Sequence, residues 1–122
     1  MPGERGRAKA QRQTAKFTEQ FRHAKKKGYN ITTMGLPTYE TQEDFDQYRP
    51  EDAGSNFEHE NEFIAVILKG LLANNVPAKP VTIRYTEFVQ WLSGREYSSS
   101  NRASYCGHLV ARDERENEKR SR

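Results

Sequence analysis

The chain has 122 residues, of which 34% are hydrophobic and 30% charged, with a formal net charge of +3 and a mean hydropathy of −1.05. That is room for one small domain with charged flanks, and it excludes a membrane-spanning helix, because the longest apolar run, Phe63 to Leu68, falls far short of the roughly 18 residues a span needs. A single cysteine, Cys106, excludes an internal disulfide, and Met1-Pro2-Gly3-Glu4-Arg5-Gly6 is followed by no hydrophobic stretch that would make a secretory signal, so a cytoplasmic setting is expected.

Residues 1–27 carry nine basic side chains against Glu4 and Glu19, a net +7. From residue 7 the segment is rich in Ala, Gln, Lys and Arg, lacks Pro and internal Gly, and stops at Gly28 behind Lys25-Lys26-Lys27, which predicts a helix with a glycine stop and a cationic last turn. On a helical wheel Arg5, Lys9, Arg12, Lys16, His23 and Lys27 fall within about 60°. Ala10, Phe17, Phe21 and Ala24 form a thin apolar stripe beside them. So weak a stripe predicts a basic arm over 1–28, helical or disordered and flexible until it meets a partner.

Residues 38–62 invert the charge, with nine acids against Arg49, a net −8. Gly35-Leu36-Pro37 and Arg49-Pro50 punctuate this part of the chain, so 29–54 reads as an acidic, irregular linker, with one short helical turn capped near Thr41 and reaching Tyr48. Its interleaved Tyr39, Phe45 and Tyr48 make 38–62 a candidate docking segment for a protein partner.

Ser55-Asn56-Phe57-Glu58 has the pattern of a capping box. The run behind it, with apolar residues at 63–68, 71 and 72, predicts a helix buried on several sides, as a central helix or as the seam of a homodimer through 56–74. Val81-Thr82-Ile83 reads as a short strand or extended lead-in. Thr86 to Leu92 predicts a short amphipathic helix capped by Thr86 and stopped by Gly94, with Phe88 and Trp91 in the core. A last helix is predicted from about Asn101, with Ala103, Cys106, Leu109 and Val110 as its buried stripe, completing a helical core over 55–112. From Asp113 to residue 122 the chain is almost all charge and reads as a solvated tail.

The polar face of that last helix is ordered. Asn101, Tyr105, His108, Arg112, Arg115 and Lys119 recur at alternating intervals of four and three and lie within about 80°, while Asp113, Glu114, Glu116 and Glu118 fall elsewhere. The residues at its start, Ser99, Ser100, Asn101 and Arg102, are types that bond phosphates and base edges. The fold expected is therefore mainly α: a small helical domain whose C-terminal half is helix-turn-helix-like or winged, between the flexible basic arm and the charged tail.

The function read from this pattern is a small sequence-specific DNA-binding protein, a transcriptional regulator or accessory factor. Arg5, Lys9, Arg12, Lys16 and Lys27 would hold phosphates, and Ser99, Ser100, Asn101, Arg102, Tyr105, His108, Arg112 and Arg115 would form the reading element. Alternatives are a protein-interaction module using 38–62, acting as a nucleic-acid mimic or inhibitor, and an RNA-binding protein using the arginine-rich arm. His23, His59 and His108 have no metal-ligand spacing, and no nucleophile–base pair or glycine-rich phosphate loop appears, so no metal, cofactor, enzyme or membrane association is expected.

Overall fold

The computed structural model describes residues 4–28, 33–48 and 56–120. Along them the chain is mainly helical, in the order α1 (Glu4–Lys26), β1 (Met34–Thr38), α2 (Gln42–Tyr48), α3 (Phe57–Ala73), β2 (Ala78–Thr82), α4 (Tyr85–Leu92) and α5 (Ser99–Arg120). Ser55, part of the expected capping box, and residues 29–32 and 49–55 of the expected linker lie outside the described residues.

Local chemistry accounts for the helix ends. α1 stops where Gly28 takes φ 86°. α2 begins as expected, Thr41 Oγ1 accepting the Asp44 N–H at 3.1 Å. The cap of α3 is Asn56, whose Oδ1 accepts from His59 N at 2.9 Å. α3 ends in a left-handed turn at Asn75 (φ 62°), with Val76 N bonded back to Leu71 O at 2.9 Å. α4 is not capped by Thr86. It begins at Tyr85 with no side-chain cap of its own, and the Tyr85 N–H is taken by Asp44 Oδ1 of α2 at 2.9 Å.

β1 and β2 run parallel, with Met34 paired to Ala78 and Thr38 to Thr82, and α2 and α3 form the crossover that a parallel pair requires. Both strands contain proline, which the ladder tolerates for a simple reason. Met34 N donates to Pro77 O and Thr38 O accepts from Ile83 N, so the intervening Gly35 and Pro37 turn their backbones to the free edge. The same parity puts Pro80 outward, where a missing N–H costs nothing. Asn61 of α3 extends the ladder, its side-chain amide accepting from Tyr39 N at 2.9 Å and donating to Tyr39 O at 2.7 Å.

The core has two parts. One joins α2, α4 and α5 under the sheet, with Phe45, Ile83, Phe88 and Leu109 among its most buried members. The other holds α1 on α3 through Ala10 and Phe21 against Ile64, Ile67 and Leu71, with Leu36 and Val76 beside them. Two glycines allow the closest approaches. A Cβ on Gly35 would lie 2.7 Å from Cys106 O and 2.8 Å from Val110 Cγ2, and one on Gly70 would lie 2.8 Å from Thr14 Cγ2.

Several expectations are corrected by this packing. The N-terminal segment is the helix that was expected, but over the described residues it is docked, because Ala10, Thr14 and Phe21 find a complementary groove on α3 that no single-helix pattern reveals. Part of the linker is β1 and α2, whose Leu36, Phe45 and Tyr48 are buried. The charged tail continues α5 to Arg120. No hairpin wing exists among the described residues, since both strands precede α4 and run parallel. α3 takes the central place that was one of its two expected settings, its apolar surface largely covered by α1 and the sheet, with Val66 and Leu72 left exposed. Among the described residues no helix is long and apolar enough to cross a membrane.

Candidate nucleic-acid interface

α1 has two faces that follow from its sequence. Ala10, Phe17 and Phe21 turn to α3, and the rest of the helix surface leaves Arg12, Lys16, Arg22, His23 and Lys26 exposed, together with Lys25, whose ammonium lies 5.6 Å from the centre of the Phe21 ring. Lys27 is exposed in the turn that follows, its N–H bonded to His23 O at 3.1 Å. The side chain of Arg5 lies outside the described residues. Lys9 is half-buried, its ammonium 5.1 Å from the centre of the Phe63 ring.

The start of α5 is held by its own chain. Ser98 Oγ accepts from Asn101 N at 3.1 Å, and Asn101 Nδ2 donates to Glu96 O at 2.7 Å. The Arg102 guanidinium lies 5.3 Å from the Tyr97 ring centre, while its carbonyl accepts from the Tyr48 hydroxyl at 3.2 Å. That hydroxyl also lies 3.8 Å from Cys106 Sγ, and burial raises both the Tyr48 phenol and the Cys106 thiol above their ordinary pKa ranges.

These two regions, distant in sequence, meet across a cleft of about 570 Å³. One wall is α1, with Lys9, Gln13, Lys16, Phe17 and Gln20. The other is the start of α5, with Ser99, Arg102, Ala103, Cys106 and Gly107. Residues 33–37 form the floor, and Glu60, Phe63, Ile64 and Ile67 of α3 close it. Lys16 and Ser99 are exposed and Arg102 is half-buried, whereas Glu60 is only 7% exposed. The cleft therefore has a cationic rim and a single carboxylate in its depth.

No protein-family model matches the chain, and no curated protein or solved structure matches it either. The site is thus defined by its own geometry. Of the residues singled out from sequence, Lys9, Lys16, Ser99 and Arg102 line the cleft, and Arg12 and Lys27 lie on exposed surface outside its lining. Ser100 is exposed and Asn101 is tied to the preceding loop.

Tyr105 is a correction. It is 2% exposed, its ring 5.0 Å from that of Phe88 and 5.2 Å from that of Trp91, and burial raises its phenol pKa. The helical stripe that joins it to His108 and Arg112 points, at this level, into α4, because an aromatic ring in reach of Phe88 and Trp91 gains more from burial than from water. His108 is exposed but lies 6.0 Å from the Trp91 ring. Arg112 is half-buried beside Asp113, with Nη2 3.6 Å from Oδ1, and Arg115 is exposed further along. The stripe is not one continuous reading surface.

Three acids of the 38–62 segment have defined places in the fold, while Glu43, Asp46, Glu58 and Glu62 stay exposed. Asp44 holds the start of α4, Glu40 faces Arg84 at 3.6 Å, and Glu60 enters the cleft. Gln13, Gln20, Phe17, Phe63 and Glu60 are members of the cleft that sequence reasoning missed. No linear signal brings them together, because their relation depends on α1 crossing α3.

Proposed function

We propose that the protein binds nucleic acid, holding the phosphate backbone on the exposed face of α1 and at the start of α5. The observation that carries this reading is the convergence of Lys9 and Lys16 from one end of the chain with Ser99 and Arg102 from the other on a single cleft, next to a 23-residue helix bearing Arg12, Arg22, Lys25 and Lys26. A row of cations on a docked helix meets a polyanion without first paying the entropy of ordering an arm. Base reading by the whole polar stripe of α5 in a duplex major groove is not the form this binding takes, because Tyr105 is buried and His108 lies against Trp91. The reading is therefore narrowed from a recognition helix to a backbone grip, with DNA as the first ligand to test and RNA as its competitor.

The test is fluorescence anisotropy with labelled DNA and RNA across a salt series. Neutralising about six phosphates gives a slope near −5 in log K against log salt, and the double substitution Arg12→Ala, Lys16→Ala is expected to flatten it by about 2. Absence of binding at about 50 mM salt, where electrostatic affinity is strong, refutes the reading. So does a slope indifferent to the double substitution.

A further inference from the structure

We propose that the cleft between α1 and α5 seats one or two unstacked nucleotides of a single strand, base inward and phosphates at the rim. This rests on the nucleic-acid reading above and deepens it, by assigning a place to the base. Three observations carry it.

The first is size and shape. A cleft of about 570 Å³ lies within the roughly 300–1,000 Å³ range of small-ligand sites. It has room for a nucleotide, while a stacked duplex presents only the edges of its bases in the grooves.

The second is the polarity gradient. Lys16, Ser99 and Arg102 sit toward solvent, and the buried Glu60 carboxylate sits in the depth. A phosphate is attracted at the rim and repelled by Glu60, whereas the amino group of a base is a suitable donor to a carboxylate. The gradient therefore sets which end of a nucleotide enters.

The third is the lining itself. Phe17 and Phe63 are partly buried cleft-lining rings, one face of Phe63 being taken by the Lys9 ammonium, and the Gln13 amide supplies both donors and acceptors for a base edge. Cationic walls with aromatic side chains between them are the elements from which single-strand sites are built, because every base has a π-face to stack.

Gly107 supplies a clean test. It lines the cleft, and a Cβ added there meets nothing within 4 Å. Gly107→Phe therefore adds bulk at the cleft wall from an exposed helical position whose Cβ meets no neighbour, and replacing a helical glycine favours the helix. Binding of a labelled dodecamer is measured as a single strand and as the matching duplex, at about 50 mM salt, for the wild type, Gly107→Phe and Arg12→Ala. Thermal melts confirm that each variant is folded, and Gln13→Ala gives a second probe of the cleft.

Gly107→Phe is expected to weaken the single strand by about tenfold or more and the duplex by less than about twofold, while Arg12→Ala weakens both alike. Equal losses for both forms with Gly107→Phe, or no loss for either, overturn the assignment of the cleft and leave the backbone grip standing. If the wild type binds neither form, the nucleic-acid reading falls and the cleft assignment with it.

Discussion

The same chemical change, glycine to alanine, is expected to have opposite signs at two positions on either side of the α5 backbone. At Gly35 the new methyl would lie 2.7 Å from Cys106 O and 2.8 Å from Val110 Cγ2, about 1 Å inside ordinary van der Waals contact. The carbonyl belongs to the middle of a helix and cannot turn away alone, so α5 must lift from β1 or the strand must bend. Overpacking of this kind costs about 1–3 kcal/mol, partly offset by about 0.4–1 kcal/mol from the lower entropy of the unfolded chain. The net expectation for Gly35→Ala is a loss of about 1–2 kcal/mol, or roughly 4–10 °C in Tm for a domain of this size. At Gly107 nothing stands within 4 Å of the added methyl, so only helix propensity operates, and Gly107→Ala is expected to gain up to about 1 kcal/mol. Urea unfolding followed by far-UV circular dichroism measures both. If Gly35→Ala matches or exceeds the wild type, or the two substitutions shift stability in the same direction, the close approach of α5 to β1 is refuted.

Substitutions at three other positions test the packing around the cleft. Asp44→Ala removes the acceptor that α2 lends to Tyr85 N and is expected to cost about 1–2 kcal/mol, with Asp44→Asn costing less; equal stability of all three proteins in urea would show that α4 needs no borrowed cap. Gly70→Val drives a side chain into Thr14 and is expected to loosen α1, so that limited proteolysis cuts within 4–26 sooner than in the wild type; an unchanged cleavage rate would contradict the docking. Burial pushes the Cys106 thiol up from 9.0 to about 11, so the folded state keeps a proton that the unfolded chain releases. The resulting stability is full below about pH 9 and is lost as pH rises toward 11, about 2–3 kcal/mol in all. Tyr39 and Tyr48, also raised by burial, act in the same direction at still higher pH. Between about pH 8 and about pH 10.5 the wild type should therefore lose more stability than Cys106→Ala, and equal losses would remove the thiol from the account.

Helical periodicity made much of this fold legible. The Gly28 stop, the many-sided α3, the burial of Phe88 and that of Cys106, Leu109 and Val110 all come from spacing along one element, whereas Ala103, expected in the same buried stripe, is exposed. β1 was hidden because Gly35 and Pro37 look like breakers; a strand accepts both only when its outer edge is free and a helix backbone lies close against it. The cap of α4 falls at Arg84, two residues before the expected Thr86, because the Tyr85 N–H is taken by Asp44, 41 positions away. Lys9, Lys16, Ser99 and Arg102 were found as cations and phosphate-binding types, yet their meeting depends on how α1 and α5 flank the sheet. Wheel geometry leaves Tyr105 open either to stack on a base or to pack on the preceding helix, and the position of Phe88 and Trp91 decides for packing.

The parallel pairing of the strands also sets an order of assembly. β1 leaves the ribosome long before its partner, because α2 and α3 must emerge between them, and the ladder cannot close until β2 has followed. α1 needs only α3, a contact of shorter sequence separation than any that α5 makes with it, and loop closure favours the shorter connection. The cationic helix is thus expected to be seated while the opposite wall is still being synthesised, so that, under the proposed nucleic-acid reading, a nascent chain would hold a polyanion before it could enclose one of its bases.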